Sequence, residues 1–274
     1  MQVGILMNNP SLLDVENLVV SVHDKPIVKG ISFSIQPGQR LAVVGESGSG
    51  KTTTALAVLR LLSKKSGFEA SGRVVFDSQD LLTLSDGELR QIRGRKASMI
   101  FQDPTASLNP ILSIGEQIGE MFEIHEELTD EEVEAKTVEA LESVGLGNLH
   151  NPWEVYPHEL SGGMKQRVMI AMSLCLNPKL LIADEPTSAL DLTVQKDILA
   201  LLKQYQGAML LITHDFGVVK EMADNVCVLY RGNIVEQGKT DAVLQNPQHA
   251  YTKSLLAALP TKANRRKLLP VGVS

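Results

Sequence analysis

The chain has 274 residues, 43% hydrophobic and 21% charged, with a formal net charge of −6. At that length roughly three quarters of the unfolded surface is buried, so one large domain, or a core with a subdomain, needs no metal or disulfide staple. The basic residues are scattered rather than gathered in a stripe, which gives no support to a nucleic-acid partner. The negative balance also disfavours anionic lipid, so any membrane attachment runs through a protein partner.

No apolar run reaches eighteen residues, and no basic start followed by a long apolar core opens the chain. The expectation is a cytosolic protein with neither a spanning helix nor a secretory signal. In chain order, strands are predicted at 12–22, 31–35 and 40–44, the last an almost continuous apolar run that ends in glycines. Continuous apolar strands suit a sheet covered on both faces. Further strands fall at 73–76, 98–101, 180–183, 209–212 and 226–230. Helical patterns separate most of the later ones, which predicts an α/β fold with a largely parallel central sheet. Residues 114–176 break the alternation and hold no convincing strand. There Thr129 followed by Glu132 is a capping-box pattern, and Val133, Val138, Leu141 and Val144 recur at roughly helical spacing until Gly145. This reads as a helical subdomain inserted into the α/β core, with the acidic run 126–134 as its solvated face. Cys175 and Cys227 each sit inside an apolar stretch and read as buried thiols in a reducing compartment.

Gly45-Glu46-Ser47-Gly48-Ser49-Gly50-Lys51-Thr52 fits the phosphate-loop pattern G-x-x-x-x-G-K-[ST], between a predicted strand and a predicted helix that Thr53 continues. Its glycines let backbone N–H groups line an anion site, and the helix N-terminus adds partial positive charge. Lys51 is expected to reach the β- and γ-phosphates, and the Thr52 hydroxyl to ligate Mg²⁺. Leu180-Leu181-Ile182-Ala183-Asp184-Glu185 is an apolar strand ending in two carboxylates. Beside a phosphate loop, Asp184 is placed to hold Mg²⁺ and Glu185 to polarise the attacking water. Leu160-Ser161-Gly162-Gly163-Met164-Lys165-Gln166-Arg167 reads by itself as a serine-capped helix start, which is also an anion site.

With those segments in that order, the chain resembles the ATP-binding-cassette (ABC) ATPases, whose signature is L-S-G-G-x. The resemblance identifies Gln102 with the Q-loop glutamine, Ser188-Ala189-Leu190-Asp191 with the D-loop, and His214 with the switch histidine. It implies a P-loop NTPase (RecA-like) core with an antiparallel β subdomain and an inserted helical subdomain. The ATPase domain is expected over 12–240, the helical part at about 103–176, and a C-terminal helical extension and tail over 241–274. The implied ligands are ATP and Mg²⁺, with Thr52, Gln102 and Asp184 toward the metal and Glu185 and His214 catalytic. One position departs from the family: where an aromatic usually stacks on adenine, the chain reads Val20-Ser21-Val22-His23-Asp24, which leaves His23 or Val22 to meet the base.

Phe101-Gln102-Asp103-Pro104 through Ser107-Leu108-Asn109-Pro110, Glu46 in the loop, and Pro247-Gln248-His249-Ala250-Tyr251-Thr252-Lys253-Ser254-Leu255-Leu256 resemble the dipeptide, oligopeptide and nickel importers. The chain's end at Ser274 without C-terminal cysteines, and the short spacing after the first strand, lean toward the nickel or metal-chelate members. The implied partners are a second cassette in a head-to-tail dimer, two transmembrane permease subunits and, indirectly, an extracytoplasmic substrate-binding protein. That places the chain peripherally on the cytoplasmic face of the membrane. In the dimer, Ser161, Gly162 and Gly163 of one cassette close over the γ-phosphate held by the other. The alternatives are a soluble ABC ATPase without a transporter or a cassette of another importer.

Overall fold

A computed structural model describes residues 11–258 apart from Ala189. The expected tail beyond 258, and Ala189 of the expected D-loop, lie outside the described residues.

The chain opens with β1 (Leu13–Val22) and turns back as β2 (Lys25–Ile35). Val22 pairs with Lys25, and between them His23 and Asp24 take φ of 45° and 62°. A two-residue turn that matches strand twist needs both central residues left-handed, a region His and Asp enter more readily than most. β3 (Arg40–Val44) leads through the glycine loop into α1 (Lys51–Val58). Then come β4 (Phe68–Phe76), β5 (Gln79–Asp80), α2 (Asp86–Ile92) and β6 (Ala97–Ile100). The helical part follows as α3 (Pro104–Ser107), α4 (Ile114–His125), α5 (Asp130–Ser143) and α6 (Gly162–Leu174). The core resumes with β7 (Leu180–Asp184), α7 (Leu192–Gln204), β8 (Ala208–Thr213), α8 (Phe216–Met222), β9 (Asn225–Tyr230) and β10 (Asn233–Lys239). The described chain closes with α9 (Thr240–Gln245) and α10 (Ala250–Ala257).

The strands form two sheets. An antiparallel sheet runs β2-β1-β4-β5, and a six-stranded sheet runs β10-β9-β3-β8-β7-β6 with parallel pairs throughout except the β10 edge. Side-chain alternation along the central strands explains their unbroken apolar sequence. Leu41 and Val43 of β3, Leu180 and Ile182 of β7, and Leu210 and Ile212 of β8 face the antiparallel sheet and α1. Leu181, Ala183, Met209 and Leu211 face the other way, into the core shared with the helical part. Ala42 and Val44 pack instead against α8 and the C-terminal helices. With both faces covered, neither face of these strands needs polar residues.

Helix α5 starts at the capping box read from the sequence, and α2 and α4 open on boxes of the same kind. Ser85, Ser113 and Thr129 each close a full capping box, with Glu88, Glu116 and Glu132 respectively. Gly145 (φ 75°) ends α5, as Leu146 donates back to the Leu141 carbonyl. One inward position differs from expectation: Val138 is 40% exposed, whereas Thr137, Ala140 and Leu141 turn to the core. The neighbours of Val133 at i+4, i+7 and i+8 fall on its face of the helix; Val138, at i+5, does not. Strands β5 and β10 and the first half of β2 were not predicted. They are short or partly exposed segments whose polar residues hide the alternation.

Candidate functional site

β3 is followed by Gly45, where a Cβ would stand 2.2 Å from the Leu229 carbonyl oxygen of β9, so only glycine fits that approach. The following loop reaches Gly50, which takes φ 105° as the residue before α1. Lys51, the first residue of that helix, is buried, and its Nζ donates to the Gly45 and Glu46 carbonyls at 2.8 and 3.0 Å. Burial lowers its pKa, while the carboxylates of Glu185 and Asp184 oppose that shift. Thr52, one residue on, sends its hydroxyl to Asp184 Oδ1 at 3.2 Å.

Asp184 is the last residue of β7 and almost wholly buried. Burial raises its pKa, and the Thr52 hydrogen bond pulls the other way. Glu185 takes φ 49°, a region that costs a non-glycine residue of order 1 kcal/mol or more and clusters at functional sites. Its own N–H donates to the Ile212 carbonyl of β8, which holds it in that conformation. The left-handed residue ends the strand's alternation, and Glu185 Oε1 meets Nδ1 of His214, 2.8 Å away at the end of β8. The Glu185 side chain is 9% exposed and His214 64%, so the histidine forms the solvent side of the pair.

These groups line one cavity of about 600 Å³: Gly45, Glu46, Ser47, Gly48 and Gly50 of the loop, Lys51, Thr52, Thr53, Gln102, Glu185 and His214, with Phe216, Leu255 and Ala258 completing the wall. Gln102 arrives there two residues past β6, exposed. Ser49 is turned inward and buried. Thr52 and Asp184 fit a divalent cation: they bring two hard oxygen donors together beneath a loop built for anions. Among the described residues no cluster of three or more His, Cys, Asp or Glu could hold a metal.

Ser161 caps α6, its Oγ accepting from the Met164 N–H at 3.3 Å, and it is exposed away from the cavity. A Cβ on Gly163 would meet Val194 at 2.8 Å, so the starts of α6 and α7 lie together. Asp191 caps α7 by accepting from the Thr193 and Val194 N–H groups.

His23 sits in the β1–β2 turn with its imidazole against Gly67, outside the residues that line the cavity. Ile27 stands nearer, its carbonyl oxygen 3.3 Å from where a Cβ on Gly50 would be. Phe216, Leu255 and Ala258 were not predicted as cavity residues. Phe216 opens α8 just past His214, a position the sequence did show; Leu255 and Ala258 come from α10 and only the fold brings them here.

The sequence profile described as "ABC transporter" matches residues 28–188, and that of the "Oligopeptide/dipeptide transporter, C-terminal region" matches 235–271. The chain is 49% identical over 261 residues to "Peptidoglycan transport ATP-binding protein YejF" of Agrobacterium fabrum, a match covering 92% of this chain and 48% of the relative. It is 45% identical over 258 residues to "Oligopeptide transport ATP-binding protein OppD" of Bacillus subtilis, covering 91% and 72%. It therefore spans about half the length of the first and most of the second. Among solved structures it superposes on the "Dimeric structure of a post-hydrolysis state of the ATP-binding cassette MJ0796 bound to ADP and Pi", with TM-score 0.72 and 27% identity over 83% of this chain and 98% of that one.

Proposed function

The chain belongs to the ABC transporter family through its ATP-binding domain, and we propose that it binds and hydrolyses ATP to power an importer of peptide-like cargo. The observation that carries this reading is the meeting of Lys51, Thr52, Gln102, Glu185 and His214 around one cavity, with Asp184 bonded to Thr52 beneath it.

In this reading the loop N–H groups and the start of α1 receive the phosphates. Lys51, held near the loop by two carbonyls, turns its ammonium to the β- and γ-oxygens. Thr52 and Asp184, with Gln102 alongside, would hold Mg²⁺, which when bound would supply charge neutralisation at the phosphate oxygens. Glu185 takes the proton of the attacking water. His214 steadies the Glu185 carboxylate through Nδ1 and keeps its second nitrogen for the γ-phosphate. The open side of the cavity is closed by Ser161, Gly162 and Gly163 of a second cassette, whose hydroxyl, N–H groups and helix start all favour an anion. The dimer named for the superposed cassette supports that arrangement.

The names of the relatives and the C-terminal match favour oligopeptide or related cargo. The nickel or metal-chelate alternative has no support in the relatives' names, which are those of peptide, peptidoglycan and glutathione transport proteins. The proposed partners are two permease subunits, and beyond them an extracytoplasmic binding protein, with this chain on the cytoplasmic face. No helix among the described residues is long and apolar enough to cross a membrane. A groove of about 220 Å³ between α1, β6 and the helical part is lined by Leu61, Phe101, Met121, Met169 and Met172. Methionines adapt to irregular apolar partners, so this groove suits a short helix from a permease, and Phe101 adjoins Gln102.

The test is phosphate release by the full chain with Mg·ATP. Glu185→Gln is expected to cut turnover about a hundredfold or more while leaving ATP binding at the wild-type level. Wild-type phosphate release from that variant would remove Glu185 from its role.

A further inference from the structure

We propose that Tyr251, on α10, is a positioning residue for the phosphate loop: its hydroxyl accepts the Glu46 N–H and fixes the loop's first turn for the nucleotide. This rests on the ATP-binding reading above and extends it to a part of the chain outside the nucleotide motifs. The Glu46 N–H to Tyr251 hydroxyl distance is 3.2 Å. Among the described residues no other side chain accepts a hydrogen bond from an N–H of the loop between Gly45 and Gly50. The bond therefore takes the Glu46 amide out of the anion site, as the Ser49 N–H to Glu46 carbonyl bond at 3.2 Å does for the amide of Ser49.

The tyrosine is held firmly enough for that role. Its ring packs on Tyr230 at 4.0 Å between centroids and 30° between planes, and the Arg231 guanidinium covers Tyr230 at 5.0 Å. The Glu236 carboxylate of β10 accepts the Gln248 and His249 N–H groups at 2.7 and 3.0 Å, which anchors the start of α10. Leu255 and Leu256 pack the helix onto the core that contains Val44, the residue before Gly45. Burial is the main cause that holds the Tyr251 phenol above its ordinary pKa, so the hydroxyl stays neutral. A second brace comes from the β9–β10 turn, where the Gly232 N–H donates to the Ser49 carbonyl at 3.0 Å. The loop is thus held from behind by two adjacent parts of the C-terminal third. Leu255 and Ala258 reach past it to the cavity itself.

Tyr251→Phe keeps the ring and its stacking on Tyr230 and removes only the acceptor. With the full chain, binding of ATP and of inorganic triphosphate is measured by calorimetry, beside KM, kcat and thermal unfolding. A neutral hydrogen bond of this kind is worth roughly three- to tenfold in affinity. The expected result is that loss for both ligands alike, a matching rise in KM, kcat within about twofold, and an unchanged unfolding temperature. Wild-type affinity of Tyr251→Phe for both ligands would overturn the proposal, as would a loss that only follows a lowered unfolding temperature. If wild-type protein itself bound neither ligand, the ATP-binding reading would fall first.

Discussion

Lys51 and Asp184 lie in the same buried corner, and burial shifts them in opposite directions, each toward its neutral form. Asp184 therefore keeps its proton to higher pH than a free aspartate. In the nucleotide-free protein its contribution to stability declines as pH rises from the ordinary carboxylate value through the raised one, because the unfolded chain binds fewer protons there. For Lys51 the folded chain binds fewer protons, so its contribution grows as pH rises from its lowered value to 10.5. A cation needs Asp184 ionised, so at pH below the raised value binding it expels that proton. Mg²⁺-dependent ATP binding is expected to weaken on acidification below the raised value, by up to about tenfold per pH unit. Titrating Mg²⁺ at several pH values, in wild type and in Asp184→Asn, isolates this slope from the titration of ATP. Equal slopes in the two proteins would exclude Asp184 as the proton released.

Among the elements, the antiparallel sheet shows how local backbone demands outrank hydrophobic pattern. The β1–β4 register slips between Glu16 and Val19, and Asn17 takes φ 47° at the bulge. Gly72 faces it with φ 103°, and a Cβ there would come within 2.4 Å of the Asn17 carbonyl oxygen. Gly72→Ala combines left-handed strain with a backbone clash and should cost about 2 kcal/mol or more. That corresponds to a fall of roughly 5 °C in unfolding temperature for a domain of this size. An unchanged midpoint in calorimetry would mean that the bulge rearranges without cost. The turns at 23–24, 77–78 and 231–232 obey the same rule, each with two consecutive left-handed residues. Their sequences, His-Asp, Asp-Ser and Arg-Gly, lack the Asn-Gly or Asp-Gly pair that marks such hairpins, so β5, β10 and half of β2 were illegible in the sequence.

At the scale of the whole molecule, the cavity and the Ser161 helix start lie on separate parts of one chain, and in the proposed dimer a second cassette brings them together. Glu185→Gln with ATP should double the mass seen by light scattering, since the proposed closure needs an unhydrolysed γ-phosphate. Adding Gly162→Asp should keep it single. A Cβ there meets nothing within 4 Å, so the fold is undisturbed, while the new carboxylate repels the phosphate. A double-mass species in the combined variant would place the closing surface elsewhere.

By itself the sequence determined the doubly covered parallel sheet, the phosphate loop, the strand-end carboxylates, and the capped starts of α5 and α6. These depend on interactions within a few residues: alternation, glycine freedom, or a side chain reaching its own backbone. The tertiary structure decided what depends on residues far apart in sequence. It set Glu185 against His214 across neighbouring strands, brought Tyr251 of the C-terminal helix to a loop some two hundred residues earlier, and placed Leu255 and Ala258 in the cavity wall. Such pairings carry no local periodicity, because their geometry is set by how the sheets and helices pack.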